Sequence, residues 1–114
     1  MKLLFVCSQN INRSKTGEDL FKDKYEVKSA GFYCEDTANT KLVTRDMVDW
    51  ADITFVFEDL HMLEMKERFP AEYLSKRIVN LDVPDVYMRG DPELDELIRR
   101  KVNDYLSPGK KMYF

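Results

Sequence analysis

The chain opens with an unbroken apolar run, Leu3-Leu4-Phe5-Val6, the pattern of a strand covered on both faces. Residues 14–24 then read as a helix, with Leu20 and Phe21 turned inward and Arg13 or Ser14 in its first turn. Tyr25 to Ser29 alternates like a second strand that ends at Ala30-Gly31, and 32–41 is polar, without a period, and reads as loop. Thr44 is placed to cap a short helical turn over 45–48, and 52–57 reads as a strong strand. Leu60, Leu63 and Met65 mark a helix that ends before Pro70, and 76–81 gives a fourth strand. Asp91-Pro92-Glu93 starts a last helix, with Asp as cap, Pro at the first position and acidic charge at the positive end. It runs to Leu106, with Leu94, Leu97, Ile98, Val102 and Tyr105 on one face.

This alternation predicts an α/β fold, a three-layer sandwich with a four-stranded parallel sheet between helices. Such sheets bind ligands at the carboxyl ends of their strands, near the point where strand order reverses. The residue that follows the first strand therefore stands where a ligand would bind, and it is Cys7.

Cys7-Ser8-Gln9-Asn10-Ile11-Asn12-Arg13-Ser14 sets a cysteine and an arginine five residues apart where strand hands over to helix. Five intervening residues let the backbone of Ser8 to Arg13 curl so that its amide hydrogens converge on one centre, which holds a dianion while a sulfur approaches from below. Arg13 closes the ring, since its planar fork takes two phosphate oxygens at once. Taken singly, Cys7 is a small buried residue and Arg13 a solvated one; the joint pattern favours a phosphate site.

Composition narrows the rest. A chain of 114 residues is a single domain, 1–114. Its 18 Lys and Arg against 21 Asp and Glu leave a net charge of -3, which disfavours a nucleic-acid partner. No apolar run is long enough to span a membrane and the N-terminus does not read as a signal peptide, so a cytoplasmic protein without a membrane partner is expected. Cys7 and Cys34 read as thiols, and His61 as a residue on a helix surface. With one histidine and no Cys or His cluster, neither a metal site nor a cofactor is expected. Trp50 reads as a core or interface aromatic, and Arg89-Gly90-Asp91 as a turn into the last helix. The tail from 107 to 114 is expected to order only by packing or by pairing with a second subunit, and the oligomeric state is left open.

The window Leu4 to Cys7 with Asn10-Ile11 and Arg13-Ser14 resembles the active-site loop of the low-molecular-weight protein tyrosine phosphatases. Ser29-Ala30-Gly31 resembles the end of the second strand in that family, and Val83-Pro84-Asp85-Val86-Tyr87 its late acid loop. These matches run in the right order over most of the chain. The resemblance implies a cysteine-dependent phosphomonoesterase acting through a phosphocysteine on a phosphorylated substrate, a phosphotyrosine protein or small aryl phosphate. A ring of amides, a helix N-terminus and an arginine favour the thiolate of Cys7 as nucleophile. The amides of Ser8, Gln9, Asn10, Ile11, Asn12 and Arg13, with the guanidinium, would hold the equatorial oxygens. Asp85 would protonate the leaving oxygen and then activate water. Ser14 would hydrogen-bond the sulfur, Asn10 would support an unusual loop conformation, and Tyr87 would line the pocket wall, with an ordinary core or surface tyrosine as its alternative.

The chain also departs from the family. Gln9 replaces a usual glycine, Asn12 stands where several members carry a second cysteine, Val86 replaces a proline, and Met88 stands where a second aromatic is common. Between Gly31 and Thr44 there is room for neither the usual specificity loop with its aromatic nor the following helix, so a shallower pocket is expected. Cys34 falls in this stretch, placed to rim the pocket or to form a reversible disulfide with Cys7. Two other readings remain: an arsenate reductase of related fold, which wants more thiols than Cys34 supplies, and a phosphate-binding module without turnover.

Overall fold

The apolar run forms the inner strand on which the site is built. In the computed structural model, which describes residues 1–107, β1 (Lys2–Cys7) lies between β2 (Glu26–Gly31) and β3 (Ile53–Val56), with β4 (Arg77–Asn80) at the edge beyond β3. All pairings are parallel, with Cys7 level with Gly31 and Phe5 level with Phe55. Leu3, Leu4, Phe5 and Val6 are each 0% exposed, burial worth about 1.5–3 kcal/mol per side chain.

Alternate residues of β1 serve different layers. Leu3, Phe5 and Cys7 pack with Phe21 of α1 (Arg13–Phe21) and with Leu94, Ile98 and Val102 of α5 (Pro92–Leu106). Leu4 and Val6 pack with Val48 of α2 (Arg45–Trp50), Met65 of α3 (Asp59–Arg68) and Phe69. A Cβ on Gly17 would come within 2.5 Å of the Phe5 ring, so glycine there lets α1 lie close on the sheet.

The expected caps form: Thr44 accepts from the Met47 N–H at 3.2 Å and Asp91 from the Glu93 N–H at 2.9 Å. Gly90, with φ +92°, makes the turn into α5. One element escaped the sequence pattern, the short helix α4 (Pro70–Ser75). Pro70 begins it, where a missing N–H is no loss. α3 also presents a different side than its leucines suggest: His61 and Met65 are buried, one turn apart, while Leu60 and Leu63 are 44% and 50% exposed. Trp50 is partly buried against the second layer, with the Lys28 ammonium 4.4 Å from its ring. Beyond Ser107 the expectation for the tail lies outside the described residues, among which no helix is long and apolar enough to cross a membrane.

Strand order reverses at β1: the chain runs out to β2 and returns past β1 to β3. The segments after β1, β3 and β4 therefore leave the sheet at neighbouring carboxyl ends, which is where the site is found.

Candidate active site

The loop after β1 is fixed against the end of β2. Phe32 donates its N–H to the Cys7 carbonyl at 3.0 Å and Tyr33 to the Ser8 carbonyl at 2.8 Å. A Cβ on Gly31 would lie 2.8 Å from the Asn10 nitrogen and 2.9 Å from the Ser8 oxygen, so glycine is what lets the loop sit there. Asn10 turns the chain with φ 56°, a conformation asparagine tolerates better than most residues. Its buried side chain donates to Ser14 Oγ at 2.9 Å and Ser29 Oγ at 3.0 Å, and accepts from the Lys41 N–H at 2.9 Å.

These contacts leave the Ser14 hydroxyl with a hydrogen to give. Ser14 Oγ lies 3.0 Å from Cys7 Sγ. Because Ser14 already accepts from Asn10, its own hydrogen is free for the sulfur. Cys7 itself is buried, 3% exposed.

Arg13 is 1% exposed, and its Nη1 donates to Glu58 Oε2 at 2.7 Å and to the Val83 carbonyl at 2.9 Å. The first partner follows β3 and the second follows β4, so one guanidinium ties together the ends of three strands. Both hydrogens of Nη1 are committed in this way. Nη2 lies 3.7 Å from Asp85 Oδ2.

Asp85 reaches the loop because the chain after β4 stays on the end of β3: Leu81 and Val83 donate to the carbonyls of Val56 and Phe57, each at 2.8 Å. Further on, Arg89 donates its N–H to Asn12 Oδ1 at 2.9 Å and holds Asp19 with its side chain at 2.8 Å. Asn12 thus links the two loops instead of capping α1 with its side chain.

A recess of about 30 Å³ results, lined by Cys7, Ser8, Gln9, Ile11, Asn12, Arg13 and Asp85. Tyr87 is not in this lining; it packs, partly buried, against the core on the α1 and α5 side. A groove of about 470 Å³ between β4 and α5 is larger, but its lining of Arg77, Val79, Asn80, Leu81, Lys101, Asp104 and Tyr105 has no nucleophilic thiol or imidazole. Among the described residues no group of three or more His, Cys, Asp or Glu is placed to hold a metal ion.

His61 is not on a helix surface: it is 0% exposed. Its Nδ1 accepts from the Phe57 N–H at 3.1 Å and its Nε2 lies 3.0 Å from Ser8 Oγ. Burial first, then the charge of Arg13, bring its pKa from 6.5 down to about 4. Glu58 and His61 carried no motif in the sequence; the available signal was Glu58 directly after a strongly apolar strand, with His61 three positions later.

The stretch after β2 carries an exposed aromatic outside the recess. Tyr33, 45% exposed, donates its hydroxyl to Glu64 and has the Arg68 guanidinium 5.5 Å from its ring. Cys34 is a free thiol that donates to the Lys41 carbonyl at 3.3 Å, and burial pushes its pKa up.

No protein-family model matches the chain, and neither does any curated protein sequence. Solved structures do. The arginine phosphatase YwlE from Geobacillus stearothermophilus superposes with a TM-score of 0.72 at 21% identity, covering 99% of this chain and 97% of that one. The tyrosine phosphatase Wzb from Escherichia coli K30, in complex with phosphate, gives 0.75 at 19% identity, with 94% and 96% covered. SP-PTP, a low molecular weight protein tyrosine phosphatase from Streptococcus pyogenes, gives 0.74 at 23% identity, with 94% and 91% covered. With four parallel strands in the order β2-β1-β3-β4 between two helical layers, the chain has the fold of the low molecular weight protein tyrosine phosphatases.

Proposed function

We propose that residues 1–114 form one phosphatase domain that hydrolyses phosphomonoesters through a phosphocysteine at Cys7. The observation that carries this reading is that a sulfur and a guanidinium from one loop and a carboxylate from a second, 72 positions beyond Arg13, line one recess. A phosphate-binding module needs the guanidinium and the amides, but not a thiol with its own hydrogen-bond donor, nor a carboxylate that opposes an anion.

In the first step Cys7 Sγ bonds to phosphorus as the bond to the leaving oxygen breaks, and Asp85 gives that oxygen its proton. The amides of Ser8 to Arg13 hold the equatorial oxygens. Arg13 takes two of them through its Nε and Nη2 edge, since Nη1 is occupied by Glu58 and Val83. In the second step water attacks phosphorus, Asp85 takes its proton, and the sulfur leaves as a thiolate stabilised by the Ser14 hydroxyl. Asn10 keeps Ser14 in that orientation.

The substrate we favour is an aryl phosphate, phosphotyrosine in a protein or a small aryl ester, hydrolysed in the cytoplasm. Ile11, half exposed, gives the recess an apolar wall, and Val86 and Met88, 75% and 74% exposed, flank the acid on its loop. The raised pKa of Cys34 makes it a poor relay thiol, which weighs against arsenate reduction.

The test is hydrolysis of para-nitrophenyl phosphate under reducing conditions. Turnover by the wild type, none by Cys7→Ser and a loss of about ten- to a thousandfold in Asp85→Ala support the reading. A wild type that binds phosphate without turnover makes it a binding module.

A further inference from the structure

Ser8 Oγ and His61 Nε2 lie 3.0 Å apart, either atom able to donate on distance alone. The backbone removes that ambiguity. The N–H of Phe57 can only donate, and it points at His61 Nδ1 at 3.1 Å. Nδ1 is therefore the unprotonated nitrogen, and the neutral ring carries its hydrogen on Nε2. Nε2 donates, and Ser8 Oγ accepts.

A serine hydroxyl that accepts still has one hydrogen to give. Ser8 lines the recess with Cys7 and Arg13, and the imidazole that fixes its oxygen is wholly buried behind it. Phe32 packs on the ring, with centroids 5.3 Å apart, so the imidazole has little freedom to turn. Glu58 Oε2, at 3.8 Å from Nε2, is beyond hydrogen-bond reach.

We propose that the Ser8 hydroxyl is a side-chain donor to the substrate phosphate, and that buried His61 is the positioning residue that aims it. The inference rests on the phosphatase reading above and adds to the amide ring a donor whose direction is set from β3 and α3. It gives a use to a buried histidine that the two-step chemistry does not itself require.

Binding of inorganic phosphate, followed by titration calorimetry on the full chain, tests this without turnover. His61→Asn keeps an acceptor for the Phe57 N–H but is too short to reach Ser8. Ser8→Ala should weaken phosphate binding about tenfold, the scale of one hydrogen bond to a charged group. His61→Asn should weaken it comparably, and the double variant should be no weaker than Ser8→Ala alone within about twofold. A purely structural His61 would instead make the two losses multiply, and that result, or wild-type affinity in Ser8→Ala, overturns the inference. Should His61→Asn fail to fold, Ser8→Thr decides: it keeps the hydroxyl and should stay within about threefold of wild type, whereas a loss equal to that of alanine is contrary. If the wild type neither binds phosphate nor hydrolyses para-nitrophenyl phosphate, the phosphatase reading falls and this inference with it; if it does both, only the inference is at stake.

Discussion

Arg89 grips both oxygens of Asp19, with Nε and Nη2 each 2.8 Å from a carboxylate oxygen. The pair holds the Asp19 carboxyl below the usual carboxylate range, and it fastens the loop carrying Asp85 to α1, the helix that follows the Cys7 loop. Arg89→Ala removes that side-chain latch and leaves the backbone bond to Asn12. Being half exposed, the pair should contribute no more than about 1 kcal/mol to stability, so its loss should appear in catalysis. The expected signature is a fall in kcat of about three- to tenfold for phenyl phosphate, which needs the acid, and a smaller one for para-nitrophenyl phosphate, which needs it less. Equal losses for both esters would mean that the latch does not position Asp85.

Glu58 holds Arg13 through Nη1 and sets a negative charge beside it, and two substitutions separate these effects. Glu58→Gln keeps an acceptor for Nη1 and removes the negative charge, so phosphate should bind several-fold more tightly. Glu58→Ala loses the hold on a nearly buried guanidinium, which should cost about 1–3 kcal/mol of stability and lower kcat/KM at least about tenfold. Urea unfolding and steady-state kinetics on the two variants check both effects.

Burial, with Arg13 nearby, holds His61 neutral with a pKa of about 4 against 6.5 for a free imidazole. The unfolded chain therefore binds a proton that the folded chain does not between those values, and stability rises with pH across that window. The contribution is complete above pH 6.5 and is lost as pH falls through about 4, a difference of about 3 kcal/mol. Unfolding free energies at pH 7.5 and 4.5 should differ by about 2–3 kcal/mol more in the wild type than in His61→Asn. Parallel pH profiles would show that the imidazole is not held neutral.

Gly31→Ala would set a methyl group against two backbone atoms of the loop after β1, the Asn10 nitrogen at 2.8 Å and the Ser8 oxygen at 2.9 Å. Neither can move without shifting the backbone beside Cys7. Destabilisation of about 1–3 kcal/mol is expected, with a larger proportional loss of kcat/KM at 25 °C, where the variant is still folded. Unchanged kinetics would show that the loop tolerates the shift.

The sheet and its helices were legible because their signals are local and repetitive. The apolar run of β1, the Thr44 cap and the Asp91-Pro92-Glu93 start each state their element within a few residues. Cys7 and Arg13 were legible for the same reason, their spacing being the geometry of a single loop. What escaped lies between segments. Glu58 and His61 follow β3, and they meet Arg13 and Ser8 only because β3 lies beside β1 in the sheet. His61 looked like a surface residue because a lone polar side chain on a mixed helix carries no mark of burial; its partners are a backbone N–H and a hydroxyl that no periodicity encodes. By position Asn12 belongs to the run of loop amides, and its side-chain link to Arg89 spans 77 positions. α4 escaped because Pro70 reads equally as a stop and as a first turn.

The proposed reaction turns on Cys7 as nucleophile, and the most direct measurement is a rapid-quench trap. Wild type and Asp85→Ala are mixed with para-nitrophenyl phosphate, quenched within the first turnover, and the Cys7 peptide is weighed by mass spectrometry. One phosphoryl group on that peptide, persisting longer in Asp85→Ala because water is no longer activated, is the expected result. Phenolate release with an unmodified Cys7 peptide at every quench time would contradict it.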